Sequence, residues 1–191
     1  AKWKEPKLWK TGIICGCALF VASSLQQVGL VYTDAGKAGF ITAMYIVMVP
    51  VLGKLRGRKV PKAAVFSVIL AVVGLYLLSC LGVSEVNKGD LLVLGCALAF
   101  SVQITCIDML AGDVDGFRLN CVQSMTVALL SLPFVAFTET VDIGNLYACL
   151  GPLLFAGVLS MGVAYSLQIT GQKLLEPTTA SLLMSMESVF A

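Results

Sequence analysis

Apolar runs of span length alternate with short polar breaks along this chain, and that alternation is its primary structural signal. A helix needs about 20 apolar residues, at about 1.5 Å each, to cross a hydrocarbon core of about 30 Å. Charge-free runs of that order occupy 11–33, 38–53, 63–84, 91–107, 119–138 and 143–172, the last being too short for two crossings. It predicts one tilted helix with an interfacial lead-in carrying Asn145 and Tyr147. A seventh run opens at Pro177, a residue suited to the first turn of a helix because its missing N–H has no partner there anyway. Only about 15 residues of it are present, and a span cannot end in mid-bilayer. The expectation is a piece of a longer protein, with seven helices in hand.

Composition excludes more than it assigns. With 58% hydrophobic and 13% charged residues, the chain has too little polar material to cover a water-facing surface. The fold class expected is all-α, a polytopic transmembrane helix bundle. The absence of histidine removes the commonest general base and metal ligand, so hydrolase and metalloenzyme readings lose their main residue type. Seven cysteines, scattered in apolar stretches, read as small buried residues, and the CxC of Cys15 and Cys17 does not complete a metal site. No catalytic residue, metal ligand or cofactor site is expected, and no Gly-rich phosphate loop is present. A net charge of +2 gives no reason to expect a nucleic-acid partner.

The placement of charge matters more than its sum. Lys2, Lys4, Lys7, Lys10, Lys54, Arg56, Arg58, Lys59, Lys62, Arg118 and Lys173 fall on one side of the predicted spans, against Lys37 and Lys88 on the other. By the positive-inside rule the N-terminus of this chain and the loop 54–62 are cytoplasmic.

The chain also repeats itself. Residues 21–29, VASSLQQVG, match 163–171, VAYSLQITG, at six of nine positions, an offset of 142 residues. The same offset pairs Asp34 with Glu176, Ala38 with Ala180 and Met44 with Met186. The two copies are five predicted helices apart, an odd number, so they cross the membrane in opposite directions. Inverted repeats are characteristic of secondary transporters, whose substrate site lies near the midplane between the halves.

The stretch 32–50, YTDAGKAGFITAMYIVMVP, the opening Gly89-Asp90-Leu91-Leu92, and 176–190, EPTTASLLMSMESVF, resemble the drug/metabolite transporter superfamily, specifically its EamA-like permeases. The resemblance covers nearly the whole chain and implies a ten-helix inner-membrane carrier, present from its third to its ninth helix. On that reading 1–88 holds the last three helices of the first repeat and 89–191 the first four of the second. The implied function is transport, typically export, of a small metabolite such as an amino acid or a related compound. A proton or other coupling ion and a homodimeric state remain open. One departure stands out: the family commonly has Glu-Pro in the ninth helix, whereas Glu187 is followed by Ser188.

Ionisable groups at bilayer depth cost at least about 2.5–3.5 kcal/mol on insertion scales, which makes Glu187, about ten residues into its run, a candidate for binding a cation or exchanging a proton. Capping a backbone break is the alternative. Intramembrane amides and hydroxyls follow, with interhelical hydrogen bonding as their alternative role. The substrate-binding set expected is Gln26, Tyr45, Gln103, Tyr165, Gln168 and Glu187. The repeat favours Gln26 with Gln168 and Tyr45 with Glu187, because each pair is related by the 142-residue offset. The glycines at 12, 16, 36 and 39 are expected at close helix crossings. The rival reading, a seven-helix receptor or sensor, accounts for the helix number but not for the repeat.

Overall fold

The computed structural model describes residues 2–57, 87–138 and 149–186, with 60, 62, 65, 66, 68–70, 72, 73, 144 and 147 as isolated pieces between them. A single 3₁₀ turn, Lys2–Lys4, precedes α1 (Pro6–Leu30), which starts on a proline at its first position. Next come α2 (Ala35–Ala43) and α3 (Tyr45–Leu55), two halves of one span separated at Met44. α4 (Lys88–Leu110) and α5 (Gly116–Thr138) follow. The next span is composite: α6 (Leu150–Leu154), a π-helical segment Phe155–Ala164, and α7 (Tyr165–Gln172). α8 (Pro177–Ser185) is the last among the described residues.

The chain is all-α, and five of its helical stretches among the described residues are long and apolar enough to cross a membrane: Pro6–Leu30, Ala35–Leu55, Lys88–Leu110, Gly116–Phe137 and Leu150–Gln172. The expected span at 63–84 lies largely outside the described residues, as does the lead-in at Asn145. Outward-facing Phe137, Leu132 and Phe155 are more than half exposed, which suits a bundle solvated by lipid tails. α1 begins five residues before its charge-free run because Lys7 and Lys10 are helical, and long basic side chains at a span end can carry their charge to the interface.

Lipid is as apolar as leucine, so packing and hydrogen bonds must hold the helices together. Leu8 and Cys15 from α1, Ile107 from α4, Leu119 and Val122 from α5 and Ile169 from α7 form one buried cluster. A second joins Phe40, Ala43, Tyr45, Ile46 and Val49 to Ile104 of α4 and to Leu182 and Met184 of α8. Where α1 crosses α5, a Cβ on Gly12 would stand 2.4 Å from Val122 Cγ1, and one on Gly16 would stand 2.6 Å from Thr126 Cβ. These two glycines therefore do serve a close crossing. Gly36 and Gly39 do not, for no atom of the described residues lies within 4 Å of a Cβ built on either. The cysteines divide likewise: Cys15 and Cys96 are buried, whereas Cys17, Cys121 and Cys149 face outward, so small size alone did not determine burial.

Contacts at the two ends of the bundle fix helix directions. At one end Lys7 pairs with Asp113 at 3.9 Å, Arg118 lies 5.8 Å over the Trp3 ring, and Lys173 Nζ donates to the Val114 carbonyl. At the other, Lys37 pairs with Asp90, and Asn87 Nδ2 donates to the Tyr32 carbonyl at 2.8 Å. α1 thus leaves the first end, α4 arrives at it, α5 leaves it, α7 arrives at it and α8 departs.

Two turn regions are nearly superimposable in their backbone angles. α2 and α8 each have nine residues; Asp34 and Glu176 precede them with φ/ψ of −67/145° and −66/143°, and Met44 and Met186 end them with −60/−12° and −63/−15°. All these bounds differ by 142 residues, as do Leu30 and Gln172, the last residues of α1 and α7.

Candidate functional site

A cavity of about 340 Å³ opens between α7 and α8. The α7 side contributes Leu167, Gln168, Gly171 and Gln172, followed by Leu175; the α8 side contributes Ala180, Leu183 and Met184. Gln168 and Gln172 are four residues apart, hence on one face of the helix. Gln172 is 3% exposed, and its Nε2 donates to the Ile104 carbonyl of α4 at 2.8 Å. Since a carbonyl can only accept, this bond fixes which end of the amide is which. Gln172 Oε1 is left buried without a hydrogen-bond partner among the described residues. A buried acceptor in that condition costs about 1–3 kcal/mol.

The residues expected to bind substrate do not form one cluster. Gln168 lines the cavity and is half-buried. Tyr45, 8% exposed, packs in the cluster with Ile104 and Met184, and Met184 also lines the cavity, so Tyr45 lies one side chain behind its wall. Gln103 is fully buried, and its Nε2 donates to Gln123 Oε1 of α5 at 3.2 Å. Gln26 on α1 and Tyr165 at the start of α7 are half-buried and are not among the cavity's lining residues. Glu187 lies outside the described residues. Asp108 falls within the last turn of α4, which runs three residues past the charge-free segment.

Two polar residues gain importance that the sequence did not give them. Gln172 was obscured because it marks the end of its apolar run; its i, i+4 spacing from Gln168 is the signal that would have raised it. Asn120 of α5, 3% exposed, donates through Nδ2 to the Met161 carbonyl at 2.7 Å and to Ser166 Oγ at 3.0 Å. Ser166 Oγ in turn donates to the Gly162 carbonyl at 2.6 Å. A π-helical stretch departs from the regular i to i+4 ladder, and Asn120 and Ser166 bond two of its carbonyls. Among the described residues no three Cys, Asp or Glu side chains gather to hold a metal ion.

The cavity is an open groove, with Leu167 and Leu183 more than half exposed at its wall and no charged side chain among the described residues of its lining. The family model described as the EamA-like transporter family matches residues 1–80 and 87–191. An uncharacterized transporter of Archaeoglobus fulgidus is 38% identical over 184 residues, a stretch that covers 96% of this chain and 59% of that relative's length. No solved structure matches the chain significantly. Matched by the family model along nearly all its length, this membrane bundle belongs to the EamA-like transporter family.

Proposed function

We propose that the chain supplies helices three to nine of a ten-helix secondary carrier, with three helices of one repeat in 1–88 and four of a second, inverted repeat in 89–191. The carrying observation is the 142-residue correspondence between Asp34–α2–Met44 and Glu176–α8–Met186 in length, bounds and backbone angles. Opposite travel of the copies supports it: α1 leaves the end of the bundle at which α7 arrives. The family match over 1–80 and 87–191 falls on either side of the proposed division.

Alternating access between these repeats moves a small metabolite, in the export direction, with amino acids and related compounds as the first candidates. Gln168 contacts the solute from the cavity, while Gln26, Tyr45, Gln103, Tyr165 and Glu187 complete the binding set in the whole protein. The protein sits in the plasma membrane with the N-terminus of this chain and loop 54–62 on the cytoplasmic side, a reading supported by the gathering of Lys7, Arg118 and Lys173 at one end of the bundle. The chain encodes no nucleotide-binding loop, and a gradient of protons, another ion or the solute itself supplies the driving force.

The experiment is a flux screen with the full-length protein in sealed vesicles, run with and without imposed pH and sodium gradients. Counterflow of at least one metabolite above protein-free vesicles is expected. Absence of counterflow for every solute, with the protein folded and inserted, contradicts the reading. Crosslinking in the same vesicles tests the homodimer.

A further inference from the structure

The open groove between α7 and α8 has a covered twin. Ala164, Leu167 and Gly171 line it at i, i+3 and i+7 of one helical face, and the 142-residue offset maps them onto Ala22, Leu25 and Gly29 of α1, the same three residue types. On α1, Ala22 and Gly29 are buried and Leu25 is half-buried, whereas Ala164 is exposed, Gly171 is half-buried and Leu167 is 67% exposed. What covers the first face is α4. A Cβ on Gly29 would stand 2.6 Å from Val93 Cγ2 and 3.2 Å from the Gly89 carbonyl oxygen, and one on Gly95 would stand 3.3 Å from Leu25 Cδ1. α4 also reaches α2, through the Asp90–Lys37 pair and through Ile104, which shares a cluster with Phe40 and Ala43. It therefore lies in the groove between α1 and α2. Beyond α7 itself, no atom of the described residues lies within 4 Å of a Cβ on Gly171.

We propose that the face of Ala164, Leu167 and Gly171 is the seat of a transmembrane helix, the opening helix of the first repeat in the whole protein, which lies between α7 and α8 as α4 lies between α1 and α2. The occupant's identity rests on the carrier reading above; the seat itself is read from the two faces. Apolar helices in lipid associate through close packing, which small residues permit, and the same three side chains in two copies of one unit call for the same kind of neighbour. α4 sets the chemistry of that neighbour: an apolar helix with a small residue where Gly89 meets the Gly29 carbonyl and a β-branched residue one turn on, where Val93 covers Gly29. Seated so, the helix covers Leu167 and Gly171 and leaves Gln168 partly accessible to a solute, as Gln26 remains half-buried with α4 in place.

The test is photocrosslinking in the full-length protein, with p-benzoylphenylalanine placed at Leu167 or, in a separate variant, at Leu25, and the crosslinked peptides identified by mass spectrometry. Leu25 is expected to capture a peptide from α4, which checks the method against a contact the structure shows. Leu167 is expected to capture, within the same molecule, a peptide from the first helix of the first repeat. Capture of lipid or detergent only, of a later helix of the same molecule, or of a second copy, read as a crosslinked dimer, overturns the proposal. A second measurement does not depend on the photoprobe. Gly171→Leu is expected to lower the unfolding midpoint of the full-length protein by about 3–10 °C, the overpacking cost of a close crossing, and Gly29→Leu to do the same. A neutral Gly171→Leu beside a destabilising Gly29→Leu leaves the face open and also overturns the proposal. Vesicle flux separates the two readings: the expected crosslink without counterflow removes the carrier and keeps the seat, and counterflow without the crosslink does the reverse.

Discussion

Lys37 Nζ lies 2.6 Å from Asp90 Oδ2, with the two side chains only 11% and 7% exposed. Lys37 sits in the first turn of α2, where the helix dipole is unfavourable to a cation, and Asp90 sits in the first turn of α4, where an anion is favoured. Asp90 also accepts from Thr33 Oγ1 at 2.5 Å and from the Asn87 backbone N–H at 2.9 Å, completing a capping box. One carboxylate thereby ties the loop after α1, the start of α2 and the start of α4.

Removing one partner of such a pair leaves a buried charge alone, at a cost of about 3–5 kcal/mol. Lys37→Met is expected to lower the unfolding midpoint of the full-length protein in detergent sharply. Lys37→Met combined with Asp90→Asn is expected to recover most of the loss, because asparagine retains an acceptor for the cap while carrying no charge. A double variant as unstable as the single would show that the pair's charge is not the source.

At the α1–α5 crossing, a Cβ on Gly16 would lie 2.9 Å from the Gln123 carbonyl oxygen as well as against Thr126, and backbone cannot step aside as a side chain can. Gly16→Ala is expected to cost about 1–3 kcal/mol through overpacking. Gly36→Ala and Gly39→Ala meet nothing within 4 Å among the described residues and gain helix propensity, so they are expected to be neutral or to stabilise by up to about 1 kcal/mol. Thermal denaturation of the three variants side by side checks the ranking.

The Gln103–Gln123 pair separates a structural amide from a transporting one. Gln103→Leu alone leaves Gln123 with no bond from its partner and is expected to cost about 1–3 kcal/mol, whereas Gln103→Leu with Gln123→Leu is expected to be close to neutral in stability. Transport then decides the role. A stable double variant that no longer moves solute places Gln103 in the binding set; one that transports normally makes the pair a helix tie.

Asn120 is a donor to the carbonyls of the π-helical segment, and its substitutions order themselves by that fact. Asn120→Ala removes the bonds; Asn120→Asp replaces the donor by a buried anion facing a carbonyl 2.7 Å away. Aspartate is expected to be the worse of the two in unfolding midpoint, the reverse of the order its closer shape to asparagine suggests.

Much of this was legible in the sequence for a physical reason: hydrocarbon tolerates no exposed backbone, so apolar length alone locates spans such as 119–138 within three residues of α5. Span ends were less legible, since Lys7 and Lys10 are helical and a charge-based boundary excluded them. The break at Met44 and the π-helical stretch Phe155–Ala164 have no local signature, for FAGVLSMGVA reads as an ordinary apolar helix, and the Asn120 that meets its carbonyls lies some 40 residues earlier. Among site residues, periodicity and repeat pointed to Gln168, but pairing across helices decides the fate of an amide. Gln103 found Gln123 twenty residues on, and Gln172 found the Ile104 carbonyl on α4, contacts set by which faces meet.

The central claim is that this chain belongs to a carrier whose two oppositely directed repeats share one solute path, with Gln26 and Gln168 as equivalent contacts. Counterflow by the full-length protein in vesicles, wild type against Gln26→Ala with Gln168→Ala, tests it most directly. The predicted result is counterflow in the wild type and background flux in the double variant, at equal insertion and an unfolding midpoint within a few degrees. Wild-type counterflow by the double variant would contradict it.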